Sequence, residues 1–596
     1  MAASSAKTSP ASVRSTSTSP PFSTTPNELV NRVGADRERL RAAGHATGAD
    51  FEKKSFIPGI YDRVALSLCV GPRIAHLQVA PEPAFSRALV EVRGETSATL
   101  GELAYTVTER FTGRVVAEGR TEAVGPRHLF SVALPGFTAW TPDSPFLYDL
   151  VVTSAGDRLA TPFGMRSFEF DPTAGHALLN GKPCYLRGTN VCIHRFFEDP
   201  SRARLPWDEA WVRGLFRAFK AMHWNALRFS IGAPPRFWYD VADEEGFLIQ
   251  DEFAIWADHG RLRLDVLADV FEKWMRAHAN HPSVVIWDAQ NETGTALTRQ
   301  VVRAVRGIDL SDRPWDLGWD RPTLRPTDPF EAHVYWVKER PNFEFSDLAT
   351  ENPVPHEARC RAGLAGPTSS PVIINEYGWC WIDREGRPTR LAREDKIFER
   401  WGLPAGSSPE AYRREYAHRI AMETEFWRMH RSVAGYMHFS DLGYSRENGE
   451  TSDNWLDVAA LRLEPHYERM MRHVSAPLGV MLDAWDGIFR AANWLRVTVP
   501  VHVVNDLDVA WSGPVELRLA QDGRELWRHV EIVAVGPFGA ARFHITPPWP
   551  QTFPTDVVLT AALVGPGGVE ARSVRRLRLI DGMAGGNPTG PLPVVA

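Results

Sequence analysis

Between residues 171 and 480 strand-like apolar runs alternate with stretches of helical spacing, and no other feature of the 596 residues limits the fold as much. The strand candidates are 184–190, 224–230, 247–252, 284–291, a poorly marked run near 315–319, 331–336, 371–376 and 433–439. Helical spacing fills the intervals, for example Trp207 to Met222, Leu264 to Ala279 and Ala411 to His430. Eight strands alternating with helices predict a closed (β/α)8 TIM barrel over 171–480. An open doubly wound sheet would want a Gly-rich phosphate turn, which the chain lacks. Short alternating runs with Gly and Pro turns, such as Ala88-Leu89-Val90-Glu91-Val92 and Leu495-Arg496-Val497-Thr498-Val499, predict flanking β-sandwiches over 61–170 and 485–582. Residues 1–25, rich in Ser, Thr, Ala and Pro, read as a disordered leader, and 583–596 as a tail.

Composition narrows the partners. A hydrophobic share of 44% is ordinary for globular protein, and the net charge of −6 comes from interspersed signs with no basic block. The expected partner is a small neutral molecule, not nucleic acid or a membrane, and no cofactor is expected; the paired glutamates below make that molecule a carbohydrate substrate. Five scattered cysteines read as free thiols without metal-ligand spacing. The opening residues have no apolar segment of the secretory kind and no run approaches about 20 apolar residues, which predicts a cytoplasmic protein.

In a barrel, catalytic side chains sit where strands end at the carboxyl face. Glu292 closes the run Val284-Val285-Ile286-Trp287-Asp288-Ala289-Gln290-Asn291-Glu292, and Glu376 closes Pro371-Val372-Ile373-Ile374-Asn375-Glu376. Two facing carboxyls are what cleavage of a glycosidic bond requires, at about 5–5.5 Å for retention and about 6.5–9.5 Å for inversion. A lone strand-end glutamate is more often half of a surface salt bridge, but two of them, in this order after near-continuous apolar strands, favour chemistry. Asn291 is placed to bond a sugar hydroxyl, and Arg228 to hold a nucleophilic carboxylate ionised. His333 and Tyr335 share one face of the sixth strand, with the phenol aimed at the nucleophile. His259, Asn190 and Trp379 complete the candidate substrate-binding set, Arg187 and His194 are further residues of the same face, and Glu252 is expected to be a supporting carboxylate. The mechanism asks for a raised pKa at Glu292 in the free protein. Metalloprotease, P-loop, nucleophile-elbow and dinucleotide motifs are absent.

These segments resemble glycoside hydrolase family 2, the β-galactosidases, β-glucuronidases and β-mannosidases. The resemblance runs from about 56 to 480. It is carried by Pro58-Gly59-Ile60-Tyr61-Asp62, Trp140-Thr141-Pro142, Phe163-Gly164-Met165-Arg166, Leu179-Asn180-Gly181-Lys182-Pro183, Arg187-Gly188-Thr189-Asn190 and His281-Pro282-Ser283 leading to Asn291-Glu292. It implies an immunoglobulin-like sandwich over 61–170, Glu292 as acid/base and Glu376 as nucleophile of a retaining exo-β-glycosidase, with β-galactosidase-like specificity taken first on family frequency. β-Mannosidase, β-glucuronidase, exo-β-glucosaminidase and a catalytically impaired carbohydrate-binding member are the alternatives, and the oligomeric state is left open. The chain departs from the family in three places. Only 26–60 resembles the tail of the usual N-terminal jelly roll, so that domain is expected to be truncated or lost. Ile231-Gly232-Ala233 stands where galactosidases carry His-Tyr-Pro, and the last strand, Tyr436-Met437-His438-Phe439-Ser440-Asp441, lacks the usual floor tryptophan. The Asn-x-Lys motif of glucuronidases is also missing.

Overall fold

The computed structural model describes residues 41–46, 62–64, 73–95, 99–199, 201–256, 261–294, 296–318, 323–355, 370–378, 380–442, 454–565 and 568–582. The leader (1–25), most of 26–60 and the tail (583–596) lie outside them, as do His259 and Trp379 and the side chain of His194.

Eight parallel strands form the central sheet: Leu186–Val191, Ala226–Phe229, Leu248–Glu252, Val284–Asp288, Trp315–Asp316, Phe330–Val334, Val372–Tyr377 and Gly435–Leu442. Strands one to five pair in sequence, six pairs with seven, seven with eight, and eight returns to pair with one. Among the described residues only the junction between strands five and six lacks a ladder. Every residue of these strands is buried. That is why their sequences read as near-continuous apolar runs: helices cover the outer face and neighbouring side chains the inner one. Close approach of the first strand to both neighbours needs small residues. A Cβ on Gly188 would lie 1.8 Å from the Ala226 carbonyl oxygen, and one on Gly435 2.4 Å from Leu186.

The helices follow their apolar spacing. Glu209–Ala221 starts where Asp208 accepts hydrogen bonds from the backbone of Ala210 and Trp211, and it buries Trp211, Val212, Leu215, Phe216 and Phe219. Leu264–His278 buries Leu267, Val270, Phe271, Trp274 and Met275. Pro409–His430, opened by Ser408 and a proline in the first turn, is buried on nearly every side. Phe168, Phe170 and Leu179 from a three-stranded antiparallel sheet pack with Leu186, Ala226, Leu248 and Ile373 at the strands' amino ends. This plugs the barrel floor and leaves the carboxyl end as its mouth.

Two β-sandwiches flank the barrel. In the first, a sheet of Ile74–Glu82, Arg87–Gly94 and Arg127–Ala133 faces one of Gly101–Glu109, Val115–Ala123, Tyr148–Thr153 and Arg158–Phe163, the seven-stranded count of an immunoglobulin-like sandwich. Val79, Val90, Leu103 and Leu150 share its core. In the second, sheets of three and five strands between Leu478 and Asp581 enclose Val501, Leu517, Val557 and Leu577. It is bolted to the barrel by buried ion pairs: Asp506 accepts from Arg187, Arg428 and Arg431, and Arg576 grips Glu415 at 2.7 and 2.8 Å. Among the described residues no helix is long and apolar enough to cross a membrane.

Candidate active site

Strand register assembles half of the site. Arg228 pairs with Asn190 on the first strand and with Gln250 on the third, and His333 on the sixth stands beside Glu376 on the seventh. All these positions lie near the carboxyl ends, so their inward side chains meet at the mouth.

The loop after the fourth strand brings the rest. The strand stops at Asp288, so Glu292 lies four residues beyond it and not at the strand end that the sequence suggested. The intervening backbone is pinned: Ala289 N–H donates to the Asp316 carbonyl, Asn291 N–H to that of Ile255, and the Gln290 amide to that of Leu317. Glu292 itself has φ +40°, a left-handed conformation that a non-glycine residue adopts at a cost and that is concentrated at working sites.

The two glutamates converge. An oxygen of Glu292 and one of Glu376 lie within 4.8 Å of each other, with His333 between them. Glu292 is the more open, its side chain 23% exposed against 6% for Glu376. Arg228 donates from Nη1 to Glu376 Oε1 at 2.7 Å, and the Tyr335 hydroxyl donates to Oε2. Arg228 Nη2 donates to Asn291 Oδ1 at 2.9 Å. Asn190 is wholly buried. Its amide donates to the carbonyl of Asn375 at 2.7 Å and its oxygen accepts from Arg228 and Ser230, so it orients the guanidinium from below.

His333 ties the site together. Its Nδ1 lies 2.8 Å from Glu292 Oε1 and 3.5 Å from Glu376 Oε2, and its Nε2 lies 3.3 Å from Glu331 Oε2. Burial alone would lower its pKa. The charges of Glu376 and Glu331 and the bonds to Glu292 and Glu331 outweigh burial and hold the imidazole well above the usual histidine range. This changes the expectation for Glu292. Burial pushes its carboxyl up, but the hydrogen bond and charge of His333 prevail, so its pKa is lowered in the free protein and not raised.

Beneath the mouth lies a charge cluster of which the sequence suggested Arg228, Glu376 and the supporting carboxylate Glu252, but not Asp288, Asp316 or Glu331. Glu252, Asp288, Glu331 and Glu376 all stand against the wholly buried Arg228. One guanidinium does not neutralise this set. Burial, then the charge of Glu331, pushes Asp288 up to about 7, while burial and neighbouring carboxylates raise Glu252 and Asp316 well above their usual range. Glu331 goes the other way, down to about 2: against burial, His333 and Arg228 hold it ionised. Asp288, Asp316 and Glu331 bring ligand-type oxygens within 4.8 Å of one another, but Gln250 and Asn375 already bond to them. In the triad of Glu292, His333 and Glu376, an imidazolium offers a cation no lone pair.

Aromatic side chains line the mouth. Trp381 meets the Tyr335 ring edge-on at 6.4 Å and donates from Nε1 to the Phe439 carbonyl, while the Arg195 guanidinium lies 5.5 Å from the centre of the Phe439 ring. Nothing in the spacing of the sequence marks Trp381 or Arg195.

Residues 172–387 match the family described as glycosyl hydrolases family 2, TIM barrel domain. A putative β-glucuronidase of Formosa agariphila is 29% identical over 238 residues, which cover 37% of this chain and 22% of that protein. β-Galactosidase 2 of Enterobacter cloacae is 31% identical over 309 residues, covering 45% of this chain and 29% of the relative. The chain thus spans less than a third of the length of these curated relatives. Among solved structures, β-D-mannosidase of Dictyoglomus thermophilum superposes with a TM-score of 0.63 at 14% identity, over 84% of this chain and 66% of that one. β-D-Glucuronidase of the same organism gives 0.51 at 17% identity, over 67% and 68%. The barrel agrees with the family match: residues 172–387 are similar to the TIM barrel domain of glycosyl hydrolases family 2.

Proposed function

We propose that this protein is a retaining exo-β-glycosidase that removes terminal non-reducing β-linked sugars, with Glu376 as nucleophile and Glu292 as acid/base. The observation that carries this reading is the approach of one oxygen of each carboxyl group to within 4.8 Å of the other, which favours the short spacing of double displacement over the wider spacing of inversion. Arg228 and Tyr335 on the two oxygens of Glu376 support its part: they orient a carboxylate toward one atom and stabilise the charge it carries before attack and after release. The greater exposure of Glu292 suits a group that must reach the leaving oxygen and then a water. Asn291, whose oxygen is held by Arg228, turns its amide nitrogen to the 2-hydroxyl next to the reacting carbon.

In the first step Glu376 attacks the anomeric carbon as the glycosidic oxygen takes a proton from Glu292. In the second, Glu292 deprotonates water, which displaces Glu376. The substrate class is a terminal β-glycoside, with β-galactoside first and β-mannoside, β-glucuronide and β-glucosaminide as the alternatives. A panel of aryl β-glycosides tests this. The wild type should release the aryl group from one of these sugars and Glu376→Gln should not. Wild-type rates in Glu376→Gln would overturn the assignment of the nucleophile. Binding without turnover across the panel would instead favour a carbohydrate-binding protein that has lost catalysis.

A further inference from the structure

The reading above leaves a proton unaccounted for: the first step needs it on Glu292, yet Glu292 is hydrogen-bonded to an imidazole that both nitrogens commit to carboxylates. We propose that His333 is a positioning residue that stores the proton Glu292 delivers, so that the acid of this site is a histidine–glutamate pair; this rests on the assignment of Glu292 as acid/base.

The geometry carries the argument. A neutral imidazole has one N–H and one lone pair, and a lone pair turned toward a carboxylate oxygen is repelled. In His333, Nδ1 faces Glu292 at 2.8 Å and Glu376 at 3.5 Å, while Nε2 faces Glu331 at 3.3 Å, so both nitrogens must carry protons to be attracted. The side chain is wholly buried, which puts these charges in a low-dielectric setting. The charged groups around it are Glu331 on its own strand, Glu376 on the seventh, Glu292 from the loop after the fourth and Arg228 from the second. Behind Arg228 lie Glu252 and Asp288, and Asp316 stands against Glu331. The raised pKa of the imidazole agrees with the geometry.

Proton and charge balance through the cycle. As the bond from Glu376 to the anomeric carbon forms, that carboxylate becomes a neutral ester and His333 loses an anion 3.5 Å away. The Nδ1 proton then passes to Glu292, which hands that same proton to the glycosidic oxygen as the carbon–oxygen bond breaks and the alcohol leaves, so that Glu292 is again a carboxylate. His333 remains neutral, with Nε2–H on Glu331. In the second step a water proton goes to Glu292 and on to Nδ1 while the water oxygen bonds the anomeric carbon and Glu376 departs as carboxylate. Nucleophile charge and stored proton thus rise and fall together.

Two measurements test this. The first compares His333→Gln with wild type on β-glycosides of poor and of dinitrophenyl leaving groups. Storage predicts a loss in kcat of about 10²-fold on the poor leaving group, little on the dinitrophenyl one, and an alkaline limb of kcat/KM moved about one unit to lower pH. Equal losses on both substrates with an unmoved alkaline limb would mean a purely structural residue. The second needs no substrate: nitrogen-15 NMR of the labelled histidines, with His333 assigned by its disappearance in His333→Gln. The expected result is an imidazolium at pH 7.5 whose pKa drops in Glu292→Gln and in Glu376→Gln. A neutral His333 in an active enzyme overturns the storage alone. An imidazolium in a protein that turns over no glycoside overturns the glycosidase reading, and the storage with it.

Discussion

Arg228 is wholly buried with four carboxylates against it, and its fork is spent in several directions at once, on Glu376, Asp288, Asn190 and Asn291. A lysine keeps the charge but not the fork, so Arg228→Lys leaves two or three of these acceptors unpaired in a low-dielectric interior. The expected cost is about 3 kcal/mol, seen as a lower urea midpoint, together with reduced kcat; a midpoint equal to wild type would show that the cluster holds itself together without the guanidinium. Tyr335→Phe removes only the hydroxyl that donates to Glu376, and a hydrogen bond to a charged group is worth about 1.5–3 kcal/mol. That predicts a fall in kcat of about 10-fold or more with an unchanged unfolding midpoint; an unaffected kcat would put the phenol outside the reaction. Arg228, Tyr335 and Glu376 were legible in the sequence because each sits in or just beyond a short apolar strand whose end is marked. The Glu292–His333 contact was not: it depends on how a four-residue loop folds back, through contacts with strand five and with the loop after strand three that no local pattern encodes.

At the scale of elements, burial on both faces makes a barrel strand a continuous apolar run, and all eight strands, the poorly marked fifth among them, were therefore found within a few residues. The fifth, expected near 315–319, is only Trp315–Asp316, held by its pairing to the fourth strand, and its shortness is why the run was poorly marked. The eighth, Gly435–Leu442, runs three residues past the 433–439 expected because Ser440 and Asp441 are buried and polar, which the sequence presents as a turn. Glycines mark where strands crowd. Gly188→Ala would drive a methyl against the Ala226 carbonyl at 1.8 Å, a clash with backbone that no rotamer relieves. The first and second strands would have to part, so the variant is expected to lose about 3 kcal/mol or more, or to accumulate insoluble, whereas Gly294→Ala, with nothing near its Cβ, is the control that should behave as wild type.

Across the whole molecule, the barrel and the C-terminal sandwich are joined by carboxylates whose pKa values folding depresses. Against burial, Arg428, Arg187 and Arg431 hold Asp506 at about 2, and Arg419 and Arg576 hold Glu415 at about 2. In the unfolded chain both return to about 4. Such groups contribute their full stabilisation above the unfolded value and lose it as pH falls through the folded one, so docking should weaken between about pH 4 and pH 2 and be indifferent to pH from 6 to 8 as far as these groups are concerned. Arg187 stands on the first barrel strand and Arg428 and Arg431 at the end of the long buried helix, so acid that frees Asp506 loosens the frame that positions the mouth. Asp506→Asn separates this from general acid unfolding. It leaves three guanidinium groups facing a neutral amide, a loss of about 3–5 kcal/mol at pH 7. It should also remove part of the acid dependence, because a proton can no longer be taken up there. Tryptophan fluorescence in urea at pH 7 and at pH 3 reads both effects: the variant's midpoint should lie far below wild type at pH 7 and approach it at pH 3. Parallel midpoints at the two pH values would mean that Asp506 carries no linkage and that apolar contacts alone hold the sandwich to the barrel.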